Sequence, residues 1–125
     1  MATSHWNGDS DALARVIIAS LENDKAEDVS VIDLRGKTSI ADTMIIADGR
    51  SARHVGSMAD KLATTLKEIG APYIAVEGLE SCDWVLLDAG DIVVHLFRPT
   101  VREIYNLERM WTVSMPEDMS QVTMA

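Results

Sequence analysis

The stretch Glu80-Ser-Cys-Asp-Trp-Val-Leu-Leu-Asp-Ala-Gly-Asp-Ile-Val-Val-His-Leu-Phe97 decides how this chain folds. Two β-prone runs flank Ala89-Gly90, a two-residue connection with glycine where a positive φ is required. The spacing predicts a hairpin with Asp88 opposite Asp91, Leu86 opposite Val93 and Trp84 opposite His95. Side chains alternate across a strand, so both faces follow directly. One carries Val85, Leu87, Ile92, Val94 and Leu96, a plain aliphatic core surface. The other carries Trp84, Leu86, Asp88, Asp91, Val93, His95 and Phe97. The polar ends of Trp and His need partners, and Trp is favoured at interface hot spots. That mixed face is therefore expected to be an exposed recognition surface. The competing reading is cover by a helix of the same chain, since sheets in α/β proteins are often covered on both sides.

Working outward, residues 9–21 place Leu13, Val16, Ile17 and Leu21 at helical spacing, with Asp9 or Ser10 as N-cap and Asn23-Asp24 as the stop. Residues 29–34 and 44–47 are short β-rich runs. Ser51 then caps a helix with Val55, Met58, Ala59, Leu62, Leu66 and Ile69 on one stripe, stopped by Gly70. Residues 73–76 form a strand that leads into the hairpin. Thr100-x-x-Glu103 has the form of a capping box, and Val101, Ile104, Tyr105, Glu108 and Trp111 continue one side of a last helix. The order is αββαβββα. It predicts an α/β (α+β) fold with a mixed five-stranded sheet flanked by helices, because helical crossovers need parallel pairs and the hairpin needs an antiparallel one.

A chain of 125 residues, 47% hydrophobic and 25% charged, has the size and composition of one globular core. The expected organisation is a flexible N-terminus over residues 1–8, a single domain over 9–111 and a disordered tail over 112–125, where Pro116-Glu-Asp breaks any period. No apolar run approaches the roughly 18 residues of a membrane span. The first ten residues lack a basic-then-apolar leader. The lone Cys82 excludes an internal disulfide, and a cytoplasmic location is expected. A net charge of −9 argues against binding bare nucleic acid by counter-ion release and favours a basic partner.

Catalytic readings each lack a necessary residue. Gly36-Lys37-Thr38 resembles the end of a phosphate-binding loop, but Val31 stands where its first glycine belongs, and a strand follows in place of a helix. The segment 35–42 is then a loop between adjacent strands, with Arg35 and Lys37 as isolated positive charges. Gly49-Arg-Ser51 at a strand-to-helix turn resembles the Gly-Ser of nucleotidyltransferases, yet no Asp-x-Asp follows to hold the metal ions that transfer needs. His54 has no His-Glu-x-x-His pattern and reads as a capping or surface residue. Asp88 and Asp91 flank a turn, and Cys82 has no base near it in sequence. No enzymatic activity, cofactor or metal is expected.

Together these motifs resemble the ribosomal silencing factors of the Iojap family. The resemblance rests on residues 31–42 (Val-Ile-Asp-Leu-Arg-Gly-Lys-Thr-Ser-Ile-Ala-Asp), Ser51-x-Arg-His-Val55, Val76-Glu-Gly78, Asp83-Trp84, Asp88-x-Gly-Asp91-x-x-Val-His95 and Arg102-Glu-x-Tyr-x-Leu-Glu-x-x-Trp111, in that order. It covers about residues 10 to 111. It implies a domain shaped like nucleotidyltransferases without their catalytic site. It also implies binding to the large ribosomal subunit through the ribosomal protein conventionally numbered fourteen, on the subunit-joining face. The small subunit is then sterically kept off, and translation falls when nutrients are scarce. A homodimer in the free state is implied as well. By position, the partner-binding surface falls on Trp84, Leu86, His95 and Phe97, flanked by Asp91 and Arg98. Asp48 departs from the pattern, standing where relatives commonly carry an uncharged residue before the glycine. Two other readings stay open: a nucleotide-binding relative of the nucleotidyltransferases, and a dimeric scaffold whose mixed face is its own interface.

Overall fold

The computed structural model describes residues 10–71 and 73–106. Along them run α1 (Ser10–Asn23), β1 (Glu27–Asp33), β2 (Thr43–Asp48), α2 (Ala52–Glu68), β3 (Ala75–Glu77), β4 (Trp84–Asp88), β5 (Ile92–Phe97) and α3 (Pro99–Tyr105). The expected αββαβββα order is observed, and the five strands form one mixed sheet in the order β1-β2-β5-β4-β3. β2 and β5 pair in parallel at its centre, and the remaining neighbours are antiparallel. The Asp9 cap, Glu108, Trp111, the 1–8 segment and the 112–125 tail lie outside the described residues.

The sheet has two unlike sides. On one, Leu13, Ile17 and Leu21 of α1 and Val55, Met58, Ala59, Leu62 and Leu66 of α2 close over Ile45, Val85, Leu87, Ile92, Val94 and Leu96. Spacings of three and four residues put each helix's apolar side chains on one stripe, which is why both lie flat on the same aliphatic surface. Each fully buried Leu or Ile contributes about 1.5–3 kcal/mol, so this layer dominates stability. On the other side a smaller cluster gathers Ile32, Leu34, Ala41, Met44, Ile46 and Phe97, with Trp84, Val93 and Val101 of α3 against it.

Ends of elements follow local chemistry. Ser51 takes an extended conformation, and its Oγ accepts the His54 N–H at 3.1 Å. Gly70 leaves α2 with φ +82, the left-handed position that glycine fills without strain. Gly49 answers to close packing: a Cβ there would sit 2.8 Å from Val55 Cγ2 and 2.9 Å from Met58 Cε.

Three expectations need correction. The last helix begins at Pro99 with Arg98 as N-cap and no side-chain cap bond, so Thr100-x-x-Glu103 lies inside it and forms no capping box. Proline's preset φ and missing N–H suit the first helical position and set the start one residue earlier. The third strand covers Ala75–Glu77, not 73–76, and Tyr73 is exposed. Arg35 is not isolated: its Nη2 lies 2.9 Å from Asp11 Oδ1 and 3.0 Å from Ser10 Oγ, tying the β1–β2 loop to α1. Asp11 accordingly raises the Arg35 pKa. Nor is Lys37 without a partner.

Candidate partner-docking surface

The hairpin forms, with a shifted register. Trp84 pairs with Phe97, Leu86 with His95, Leu87 with Val94 and Asp88 with Val93. The connecting residues are Gly90-Asp91, closed by the Ala89 N–H donating to the Ile92 carbonyl at 2.9 Å. Two contacts draw the turn there. The Asp88 carboxylate accepts the Gly90 N–H at 2.8 Å. The Asp91 carbonyl accepts the N–H groups of Asp42 and Thr43, so Asp91 caps the start of β2 and leaves the ladder. The partner of every β4 residue thereby moves two positions along β5. Alternation has period two, so every strand residue keeps the face read from sequence, and only Asp91 drops out of the mixed face into the turn.

The mixed face can be followed in rows across the sheet. One runs Glu77, Leu86, His95, Ile46, Ser30; the next runs Ala75, Asp88, Val93, Met44, Ile32; a third holds Trp84, Phe97 and Asp48. The rows change character along their length. Over β1, β2 and β5 the face is covered by Leu34 and Ala41 of the β1–β2 loop and by Val101 of α3. Ile46 and Phe97 are 0% exposed there, and His95 is 8% exposed. Over β4 and β3, and at Val93 near the start of β5, it opens: Trp84, Leu86 and Val93 are half-buried, and Glu77 is exposed. Cover and exposure, the two competing readings, each hold for half of the face.

Trp84, His95 and Phe97 form one aromatic group. The indole stacks on Phe97 with ring centroids 5.1 Å apart, and His95 stacks on Phe97 at 6.1 Å. The indole Nε1–H donates to His95 Nδ1 at 2.9 Å. Burial lowers the His95 pKa to about 4, so at neutral pH the imidazole is uncharged, and the indole N–H directed at Nδ1 makes that nitrogen the acceptor and leaves the ring proton on Nε2. Of the other residues read from sequence, Leu86 sits beside this group, opposite His95. Arg98 and Asp83 pair at the open end of the hairpin, with Nε–Oδ1 at 3.4 Å. Asp91 lies at the turn, seven positions from Arg98 and so roughly 24 Å away along an extended strand. Trp84, Leu86, Asp91 and Arg98 line an elongated surface, whereas Phe97 and His95, expected on it, lie buried beneath Trp84 under the cover of α3 and the β1–β2 loop.

Gly78 lies against the backbone at the start of β4. It has φ +94, and a Cβ there would lie 2.3 Å from the Trp84 carbonyl oxygen. The backbone of the β3–β4 connection thus runs tightly alongside the start of β4.

A second polar cluster escaped the sequence reading. Arg102 Nη1 donates to Asp48 Oδ1 at 3.0 Å and to the Asp28 carbonyl at 2.6 Å, while Nη2 donates to Ser30 Oγ at 3.0 Å. The Arg102 and Asp48 side chains are only 11% and 5% exposed. This pair gives Asp48 its reason: the carboxylate neutralises the one guanidinium that fastens α3 to β1 and β2. An acid next to Gly49 together with a basic residue inside the last helix is the signal that sequence offered, but the fifty-odd residues between them hid the pairing. His54 is likewise more than a cap. Its Nδ1 accepts the Arg50 N–H at 3.0 Å and its Nε2 donates to the Asp24 carbonyl at 2.7 Å, joining the end of α1 to the start of α2.

Gly49-Arg50-Ser51 is the capped start of α2. Among the described residues no group of three or more His, Cys, Asp or Glu side chains could hold a metal ion. No described helix is long and apolar enough to cross a membrane.

A family model described as "Ribosomal silencing factor during starvation" matches residues 7–125. The chain belongs to the ribosomal silencing factor family. Its relatives include the ribosomal silencing factor RsfS of Zymomonas mobilis, 53% identical over 103 residues that span 82% of this chain and 77% of that protein. The factor of the same name from Haemophilus influenzae is 40% identical over 80% of this chain and 98% of its own length. A mouse protein named "Mitochondrial assembly of ribosomal large subunit protein 1" is 32% identical over 86% of this chain, which corresponds to 49% of the mouse protein. In three dimensions the chain is similar to a crystal structure from Chromobacterium violaceum, with a TM-score of 0.80, 39% identity and coverage of 85% of this chain and 88% of that one. The family expected from the ordered motifs is therefore the family found.

Proposed function

We propose that this ribosomal silencing factor binds the large ribosomal subunit through the β4 side of its mixed face and sterically keeps the small subunit from joining. The observation that carries the reading is the half-buried Trp84, braced by Phe97 and His95, at the edge where the face opens. Trp84, Leu86 and Val93 supply an apolar centre that can be desolvated. Glu77, Asp88 and Asp91 place carboxylates around it, while Asp83 is paired with Arg98. An apolar centre with an acidic rim suits a basic ribosomal protein, the charges chiefly raising the association rate. The ribosomal protein numbered fourteen is the partner proposed, and repression under nutrient limitation is the proposed consequence, in the cytoplasm. The names of the bacterial relatives, and the large-subunit wording of the mouse protein's name, support the same reading. Blocking needs no chemistry, only occupied volume.

The test is co-sedimentation of Trp84→Ala with purified large subunits in sucrose gradients, beside a subunit-joining assay. Loss of a hot-spot side chain costs at least about 2 kcal/mol, or roughly thirtyfold in affinity. A folded Trp84→Ala protein that still co-sediments and still blocks joining would refute the assignment. If wild-type dimers and subunits compete for the Trp84 face, a homodimer is the storage form of the same surface.

A further inference from the structure

Resting on that docking surface, we propose that His95 is a positioning residue: its Nδ1 locks the Trp84 indole in one orientation, so a partner meets Trp84 as a fixed apolar plate. Position alone argues against direct contact by His95. It is 8% exposed and lies opposite Leu86 and beside Ile46, within the sheet, whereas Trp84 is half-buried.

Two contacts of different kinds define the indole. Stacking on Phe97 at 5.1 Å fixes the plane of the ring. The Nε1–H bond to His95 at 2.9 Å fixes its rotation within that plane, because a flipped indole would point its only donor away. An imidazole is an unusual choice beside Ile46 and Phe97, since burying it without a bond would be unfavourable. The bond to Trp84 is the compensation. A donor already satisfied within the chain also gives a partner nothing to gain by placing an acceptor over Trp84. Recognition there rests on packing, and pre-ordering one aromatic side chain is worth roughly two- to tenfold in affinity.

The experiment uses the full chain, purified large subunits and two substitutions. His95→Leu has similar volume and no acceptor. His95→Asn places its Oδ1 where Nδ1 stood. The Trp84 indole N–H is followed by nitrogen-15 NMR and assigned by its disappearance in Trp84→Phe. In the wild type it should exchange slowly with water. In His95→Leu it should exchange freely and subunit binding should weaken about tenfold, with both largely restored in His95→Asn. Binding by folded His95→Leu equal to wild type overturns the proposal. So does equal weakening by the Leu and Asn variants. An indole N–H that exchanges in the wild type like an exposed tryptophan overturns it without any variant, which covers the case of a Leu variant that does not fold. The NMR arm tests the lock independently of the ribosome, whereas retained binding by Trp84→Ala would count against the docking surface itself.

Discussion

Replacing Asp48 by alanine tests how α3 is held to the sheet. The substitution leaves Arg102, 11% exposed, with the Asp28 carbonyl and Ser30 Oγ but without the carboxylate that neutralises it. Breaking a buried pair by removing one partner costs about 3–5 kcal/mol, mostly the penalty of the stranded charge. For a chain of 125 residues 1 kcal/mol moves Tm by roughly 4 °C, so 3 kcal/mol corresponds to a fall of about 12 °C. Arg102→Ala should behave similarly, since it removes the guanidinium that neutralises a carboxylate only 5% exposed. An apolar pair, Asp48→Leu with Arg102→Met, removes both charges together. It should recover stability relative to the sum of the single changes, with a coupling of about 2–3 kcal/mol. Thermal melts followed by circular dichroism on wild type, the apolar pair and its two component singles, Asp48→Leu and Arg102→Met, supply the cycle. Hydrogen exchange on β1 shows whether the loss is local to the α3 anchor. A Tm within about 3 °C of wild type for Asp48→Ala, with additive single effects, would refute the reasoning.

Helix caps give a paired contrast. Ser51→Ala should cost about 1 kcal/mol in urea unfolding because its Oγ holds the His54 N–H, whereas Thr100→Ala should stay within about 0.5 kcal/mol because no cap bond forms there. Equal effects would contradict the assignment. Gly78→Ala should destabilise by at least about 2 kcal/mol, since it meets both the positive φ and the Trp84 carbonyl; a stable, native-like variant would count against that backbone contact. His95 predicts a pH dependence. Its folded pKa of about 4 lies below the ordinary 6.5, so the unfolded chain binds the extra proton between those values. Stability is then intact above pH 6.5 and falls as pH drops towards 4, by up to about 3 kcal/mol. Urea midpoints at pH 7.5 and 5 should diverge more for wild type than for His95→Asn, and parallel behaviour would sink the prediction.

Much of the fold was legible because local rules and global packing agree. The stripes Leu13/Ile17/Leu21 and Val55/Met58/Ala59/Leu62/Leu66 were visible as helical periods and are buried as read. Every strand residue of the hairpin also kept its face, although the turn slid one residue along the chain. That slip could not be foreseen from the hairpin alone: the Asp91 carbonyl is claimed by Asp42 and Thr43, residues of a distant loop. The Thr100 box misled for a local reason, as Pro99 already supplied a helix start.

Sequence by itself determined the strand and helix order, the aliphatic core and the grouping of Trp84, Leu86, His95 and Phe97 on one face, because these depend on periods of two and 3.6 residues. Tertiary structure alone decided how much of that face remains open. α3 and the β1–β2 loop close over Phe97 and Ile46 and leave Trp84 and Leu86 at the edge, a division set by contacts between segments far apart in the chain. The same holds for Asp48 and Arg102, whose charges make sense only once folding removes both from water and places them 3.0 Å apart.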